Sequence, residues 1–271
     1  MVEFKEIQSK SILTPAKGLL DGSGFTYTLN PYTGCAFGCS YCYVQEMPAA
    51  KFREAKWGDY VDIKANAAEL VGKEIKKAKK KDKQVSIFMS TATDPYQGIE
   101  AKTNLTRSIL EVMLSMIEDI DYLMVHTRAP LAKRDIDLFQ QFGEKIIISM
   151  SIETDLDQVR KIFTPSAPAI QARLNTLKAI TEAGVPTRAS ISPMLPLTRD
   201  IAKTLKNVTN QVALDTFTLG DGARGKRTER LGIKKLYEKW NMLDWYDHDA
   251  YKQVLPLLEA EFGTVDLFND K

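Results

Sequence analysis

Three cysteines, Cys35, Cys39 and Cys42, are the only ones in the 271 residues, and all lie within one short stretch. An odd number so closely spaced cannot form a disulfide framework. Gaps of three and two residues let one loop wrap three thiolates around a single inorganic centre, and Gly34 and Gly38 allow backbone conformations that bulkier residues resist. Soft thiolates select zinc or iron–sulfur clusters. A structural zinc needs a fourth ligand, for which the chain offers only His126 or His248, both distant in sequence. A cubane cluster held by three cysteines leaves one iron open to an outside ligand and so makes a reaction centre. Three structural thiols are the remaining alternative.

Such a loop needs a scaffold, and the apolar periodicity supplies one. Strands are expected at about 24–29, 85–90, 121–126, 145–152, 186–192 and 212–219, with helices over 61–80, 103–118, 131–142, 168–183 and 198–209. Alternating βα units imply a parallel sheet. Buried parallel strands normally read as continuous Val, Ile and Leu, yet Ser149, Ser151 and Glu153 interleave with apolar residues here, as do Arg188, Ser190 and Ser192, and Thr216 and Thr218. One polar sheet face lining a wet ligand cavity is therefore expected. Residues 220–271 change character, opening on Gly220, Gly222 and Gly225 and running into a basic, Trp-bearing helical tail. The chain divides into a barrel over 1–219, with the cysteine loop at 30–43, and a C-terminal extension over 220–271.

Composition fits this picture: 44% hydrophobic and 27% charged residues are those of a folded domain, and Lys and Arg exceed Asp and Glu by only two. No apolar run is long enough to span a bilayer, and the N-terminus has no signal-peptide core, so a cytoplasmic protein without a membrane partner is expected.

The CxxxCxxC spacing with an aromatic before the last cysteine resembles the radical S-adenosylmethionine (radical SAM) superfamily. Its partial (β/α)6 barrel would match the six strands. The resemblance implies that Cys35, Cys39 and Cys42 hold a 4Fe-4S cluster whose open iron takes the methionine end of S-adenosylmethionine, with Tyr41 near the adenine. One electron from a flavodoxin- or ferredoxin-type reductant would then cleave the sulfonium, giving a 5′-deoxyadenosyl radical that abstracts hydrogen. Ser90 to Gln97, Thr127-Arg128, Arg134 to Leu138, Ser151 to Thr154, and Pro165 through Gly184 resemble the spore photoproduct lyase-like group in order. By that likeness Thr91, Ala92, Thr93 and Asp94 face the methionine end, Ser151 and Glu153 the ribose, and Ser192 the adenosyl pocket. True spore photoproduct lyases use an additional cysteine as hydrogen donor; this chain has none, so the resemblance is to the short branch of the group.

Other residues carry weaker signals. Tyr43 and Tyr96, next to the cofactor motifs, are candidate hydrogen relays, and His126 ends a strand where it could reach the cavity. Arg188, if it faces the lumen, needs a counterion: Glu153, a cofactor carboxylate or an anionic substrate. The run Lys76–Lys83 reads as a solvated helix end, whereas Arg224, Lys226, Arg227 and Arg230 follow the sixth strand and could clamp an anion. Trp240, Trp245 and Tyr246 are expected to form the core of the tail. Three readings follow: a radical SAM enzyme abstracting hydrogen from a substrate that the sequence does not name, an anion being one candidate; a nucleic-acid repair or modification enzyme of the same chemistry; or a non-catalytic iron–sulfur electron carrier or sensor. The nucleic-acid reading requires the basic loop and the lysine run to form one surface.

Overall fold

The computed structural model describes residues 1–220 and 223–267, which leaves Gly222 of the glycine-led stretch outside the described residues. Eleven strands are defined: β1 (Glu3–Ile7), β2 (Leu13–Pro15), β3 (Tyr27–Leu29), β4 (Tyr32–Thr33), β5 (Tyr60–Lys64), β6 (Ser86–Met89), β7 (Tyr122–Thr127), β8 (Ile146–Ser151), β9 (Thr187–Ile191), β10 (Val212–Leu214) and β11 (Asp266–Leu267). The main sheet runs β11-β10-β9-β8-β7-β6-β3-β2, parallel throughout except for the β2–β3 pair. Its six central strands are those expected from the sequence, and the helices Ala67–Lys79, Leu105–Leu114, Ile136–Phe142, Ile170–Glu182 and Ile201–Lys206 fall between them.

Two expectations need correction. The segment 61–80 is not helical from its start: Val61 and Ile63 lie in strand β5, which pairs with β1 and β4 in a separate three-stranded sheet, and the helix begins at Ala67. The last central strand stops at Leu214 rather than 219. There Asp215 Oδ1 accepts the backbone N–H of Thr216, at 2.7 Å, a local bond that competes with the ladder, and the chain turns into the short helix Phe217–Gly220.

The polar sheet face is real, and Ser149, Ser151, Glu153, Arg188 and Ser190 on it are buried. Phe25, Phe88, Met124 and Ile147 form a buried apolar cluster, with Ala16, Leu20 and Tyr122 packed on it. The register pairs Met124 with Ile147 and Ser149 with Arg188, one strand step nearer the C-terminal end of β8. The lower lumen is thus filled by apolar side chains rather than by the wet cavity that the polar alternation leads one to expect.

Arg188 sits at this plug, with Nη1 3.0 Å from Asp266 Oδ2 and Nη2 3.2 Å from Met124 Sδ. Asp266 belongs to β11, so the C-terminal extension contributes a strand to the sheet as well as packing on the barrel. The Asp266 side chain is 58% exposed while that of Arg188 is 6% exposed, so the arginine depends on the pair more than the aspartate does. Asp266→Ala should lower unfolding stability by about 1–3 kcal/mol, the cost of taking a charged acceptor from a buried guanidinium. Arg188→Met added to it should recover part of that loss because no buried charge remains. Urea denaturation in a double-mutant cycle tests this, and an additive cycle would show that the pair does not couple.

Candidate functional site

The loops that follow the C-terminal ends of β3, β6, β7, β8 and β10 converge, as ligand sites in parallel sheets do. The cysteine loop follows β3, and its path is set by close backbone contact. Gly34 has φ of +88°, and a Cβ there would lie 2.4 Å from the Tyr60 carbonyl oxygen. The neighbouring loop residue Gly38 approaches Gly58 in the same way. The sequence named both loop glycines, but not the strand β5 that makes Gly34 necessary.

Side chains from the β6 loop tie the cysteine loop down. Thr93 Oγ1 donates to the Gly34 carbonyl at 2.6 Å, Gln97 Oε1 accepts from Ala36 N at 2.8 Å, and Asn30 Oδ1 accepts from Ala92 N at 2.8 Å. Asp94 is wholly engaged by its surroundings: it accepts from Tyr96 N, the Thr127 hydroxyl and Arg128 N at 2.9, 2.7 and 2.8 Å. It joins the ends of β6 and β7. Thr91 is held by Asn30 and by Tyr43, whose hydroxyl donates to the Thr91 carbonyl at 2.9 Å.

Beside the cysteines lies a buried ionic group. Arg128 Nη1 is 2.6 Å from Glu153 Oε1, and it donates to Cys39 Sγ and to the Tyr41 hydroxyl, each at 3.1 Å. The Tyr41 hydroxyl in turn donates to Glu153 Oε1 at 2.9 Å, and Arg173 Nη1 donates to Glu153 Oε2 at 2.7 Å. Burial by itself would raise the Glu153 carboxyl, but the two arginines outweigh it and bring it down to about 2. The expected partnership of Glu153 with Arg188 is therefore corrected: Glu153 is matched by Arg128 and Arg173, and Arg188 by Asp266. Arg128 lay inside a motif quoted from the sequence but was not singled out, and neither were Arg173 or Gln97. The Arg128-to-Cys39 contact spans 89 positions and leaves no local signal.

His126 lies below this group, between Ser149 Oγ (3.1 Å from Nδ1) and Ser151 Oγ (3.0 Å from Nε2). Burial, with Arg128 and Arg188 adding to it, pushes its imidazole down to about 3, so it stays neutral. Ser192 Oγ donates to Asp215 at 2.9 Å, bridging the ends of β9 and β10. Tyr96 is a packing residue rather than an exposed relay: it is fully buried, edge-on to Phe139, with its hydroxyl donating to Asp135 at 3.0 Å.

The extension covers this end of the barrel. Tyr41 meets Phe217, which meets Tyr237 and Tyr246, and Tyr237 also contacts Phe163. Tyr237, not singled out from the sequence, is the fully buried anchor of the tail, whereas Trp240 is 47% exposed and is not core. Outside the aromatic layer, Arg230 pairs with Glu46 at 2.7 Å and Arg227 lies over the Tyr43 ring. The run Lys76–Lys83 is at the opposite end of the sheet, where Lys79 pairs with Asp121 just before β7, so the two basic segments do not form one surface.

The three cysteines fit a cluster by their chemistry: soft donors on one loop, electrostatically coupled to each other, with a fixed guanidinium on one sulfur. Among the described residues, no group of three or more His, Cys, Asp or Glu side chains converges as a site for a single metal ion. Burial pushes all three thiols up, Cys42 to about 12, so metal binding must displace their protons.

Comparison with known proteins bears on the same region. A sequence profile of the radical SAM superfamily matches residues 29–208. An uncharacterized protein of Methanocaldococcus jannaschii is 32% identical over 195 residues, which cover 72% of this chain and 69% of that protein. An uncharacterized protein of Mycobacterium tuberculosis is 25% identical over 218 residues, 78% of this chain but only 62% of the relative. Among solved structures, spore photoproduct lyase complexed with dinucleoside spore photoproduct superposes with a TM-score of 0.67 at 17% identity, covering 97% of this chain and 81% of that one. A mutant of that enzyme with bound AdoMet and the same dinucleoside also gives 0.67, at 16% identity, over 98% and 81% of the two chains.

The glycine contacts generate a test. Gly34→Ala should strain the loop by about 1–3 kcal/mol from its φ alone, and more from the collision with Tyr60, so iron bound after anaerobic reconstitution should fall by more than half. Gly98→Ala, at a glycine with nothing within 4 Å of its added Cβ, is the control and should bind iron as wild type does. Full iron binding by the Gly34 variant would show that the loop path is not needed.

Proposed function

The chain belongs to the radical SAM superfamily, and from that premise we propose that it is an enzyme that binds a 4Fe-4S cluster through Cys35, Cys39 and Cys42 and cleaves S-adenosylmethionine to abstract hydrogen from an anionic substrate. The observation that carries this reading is the set of three cysteines held at the C-terminal rim of the parallel sheet, with Arg128 on Cys39 Sγ. When bound, the cluster and S-adenosylmethionine supply one-electron cleavage of a sulfonium and a carbon-centred radical. The residues of this chain bind, orient and exclude water. Asn30, Thr93 and Gln97 hold the cysteine loop against the β6 loop. Thr91, Ala92 and Asp94 offer that loop to the methionine end, and Tyr41, Ser151, Glu153 and Ser192 are the residues that the family resemblance assigns to the adenosyl group. Tyr43, bonded to Thr91 at the mouth, is the candidate relay that the geometry favours over Tyr96.

The substrate class rests on the extension. From Arg224 to Lys239 the chain carries seven Lys and Arg against Glu229 and Glu238, on the side where Arg230 and Arg227 meet the cysteine-loop segment. Such a face draws in anions and acidic proteins alike, which also supports a flavodoxin- or ferredoxin-type reductant. Its separation from Lys76–Lys83 favours a compact anionic substrate over an extended nucleic acid. No helix among the described residues is long and apolar enough to cross a membrane, which is compatible with the cytoplasmic reading.

Anaerobically reconstituted protein should hold about four irons and four sulfides per chain, and with dithionite it should release 5′-deoxyadenosine slowly from S-adenosylmethionine. Cys39→Ala should lose both properties. Stoichiometric zinc without iron would overturn the reading, and a loaded cluster that neither cleaves S-adenosylmethionine nor responds to it in paramagnetic resonance would leave the electron carrier or sensor.

The basic face has its own test. Changing Arg224, Lys226 and Lys234 together to Gln should leave dithionite-driven cleavage unchanged and slow cleavage driven by a reduced flavodoxin several-fold. The difference should shrink as salt screens the attraction. Equal rates with the protein donor at low salt would remove this face from the proposal.

A further inference from the structure

The ionic group beside the cysteines holds more cation than it neutralises. Arg128 and Arg173 share one carboxylate, Glu153, and Arg173 Nη2 is buried without a hydrogen-bond partner. Asp94, a second buried acid at this rim, already accepts three donors from the ends of β6 and β7, one of them the backbone N–H of Arg128. Arg128 is thus fixed at both ends, its backbone by Asp94 and its guanidinium by Glu153, with Nη1 left 3.1 Å from Cys39 Sγ. The same nitrogen also meets the Tyr41 hydroxyl at 3.1 Å, so the guanidinium is held in place with its charge against the cysteine sulfur.

We propose that Arg128 tunes the reduction potential of the cluster through a charge-assisted N–H···S hydrogen bond to the Cys39 thiolate, with Glu153 as its positioning partner. The inference rests on the cluster assigned above. One-electron reduction adds a negative charge, which a cation about 3 Å from a ligand sulfur stabilises more in the reduced state than in the oxidised one, and the low-dielectric surroundings enlarge the difference. Arg128 therefore raises the potential and Glu153 lowers it. A residue that merely closed the β7 loop would have no such signed effect.

The test is a mediator titration of the anaerobically reconstituted full chain, without S-adenosylmethionine, followed by paramagnetic resonance, with iron content measured in parallel. Arg128→Met should lower the midpoint, changing the reduced-to-oxidised ratio at a fixed applied potential roughly tenfold, which is 59 mV for one electron. Glu153→Gln should move it upward, and Arg128→Lys should move it down less than Met does. If the Met variant takes up no iron, the upward shift of Glu153→Gln and the smaller downward shift of Arg128→Lys carry the test. A loaded wild type whose midpoint ignores these variants, or shifts in the same direction for Arg128→Lys and Glu153→Gln, overturns this inference and leaves the proposed function intact. A wild-type chain that takes up no iron overturns both.

Discussion

Glu153 is a carboxylate removed from water, and the rim of the barrel is arranged around its charge. An isolated buried carboxylate would take up a proton. This one stays ionised because Arg128 arrives from the end of β7, Arg173 from the helix Ile170–Glu182, and the Tyr41 hydroxyl from the cysteine loop. Three segments distant in sequence are thereby required to meet at one point. Removing Glu153 would leave two largely buried guanidiniums without their shared carboxylate, a cost of several kcal/mol, so the group specifies an arrangement as well as stabilising it.

Around that point the loops are joined by bonds that have no slack. Gly34 passes under Tyr60 with no room for a side chain, and its carbonyl accepts the Thr93 hydroxyl. Gln97 spans from Ala36 back to Thr93, and Asn30 holds the β6 loop from the other side. The cysteine loop is thus held by the protein's own hydrogen bonds. Pre-organisation of this kind reduces the ordering cost that a ligand would otherwise have to offset.

How much of this was legible in the sequence depends on range. The six central strands and their helices follow from periodicity, a local property, and CxxxCxxC is recognisable because its ligands share one loop. The failures are non-local. Strand β5 was hidden because its alternation runs directly into an amphipathic helix, and β11 because two residues carry no period. Glu153 was identified as a site residue, but its partners could not be, since Arg128 and Arg173 reach it across turns whose geometry only the packed sheet defines. Arg188 was placed correctly on the lumen face by alternation; its counterion, Asp266, lies 78 positions away. Thr216 and Thr218 mimicked strand alternation past the point where Asp215 ends the ladder.

The plug in the lower lumen bears on how the site can work. Phe25, Phe88, Met124 and Ile147 fill the floor, and Arg188 beside them is paired with Asp266. Above it, the neutral His126 between two serines offers hydrogen bonds without charge. Charge is concentrated at the rim and on the extension. On the function proposed above, electron donor, cofactor and substrate would meet at the same end of the sheet, beside the aromatic layer that runs from Tyr41 through Phe217 to Tyr237 and next to the Arg230–Glu46 pair. Under that proposal the rim would have to admit an anion from solution while keeping a reactive radical away from water, a separation that hydrogen abstraction requires of its protein.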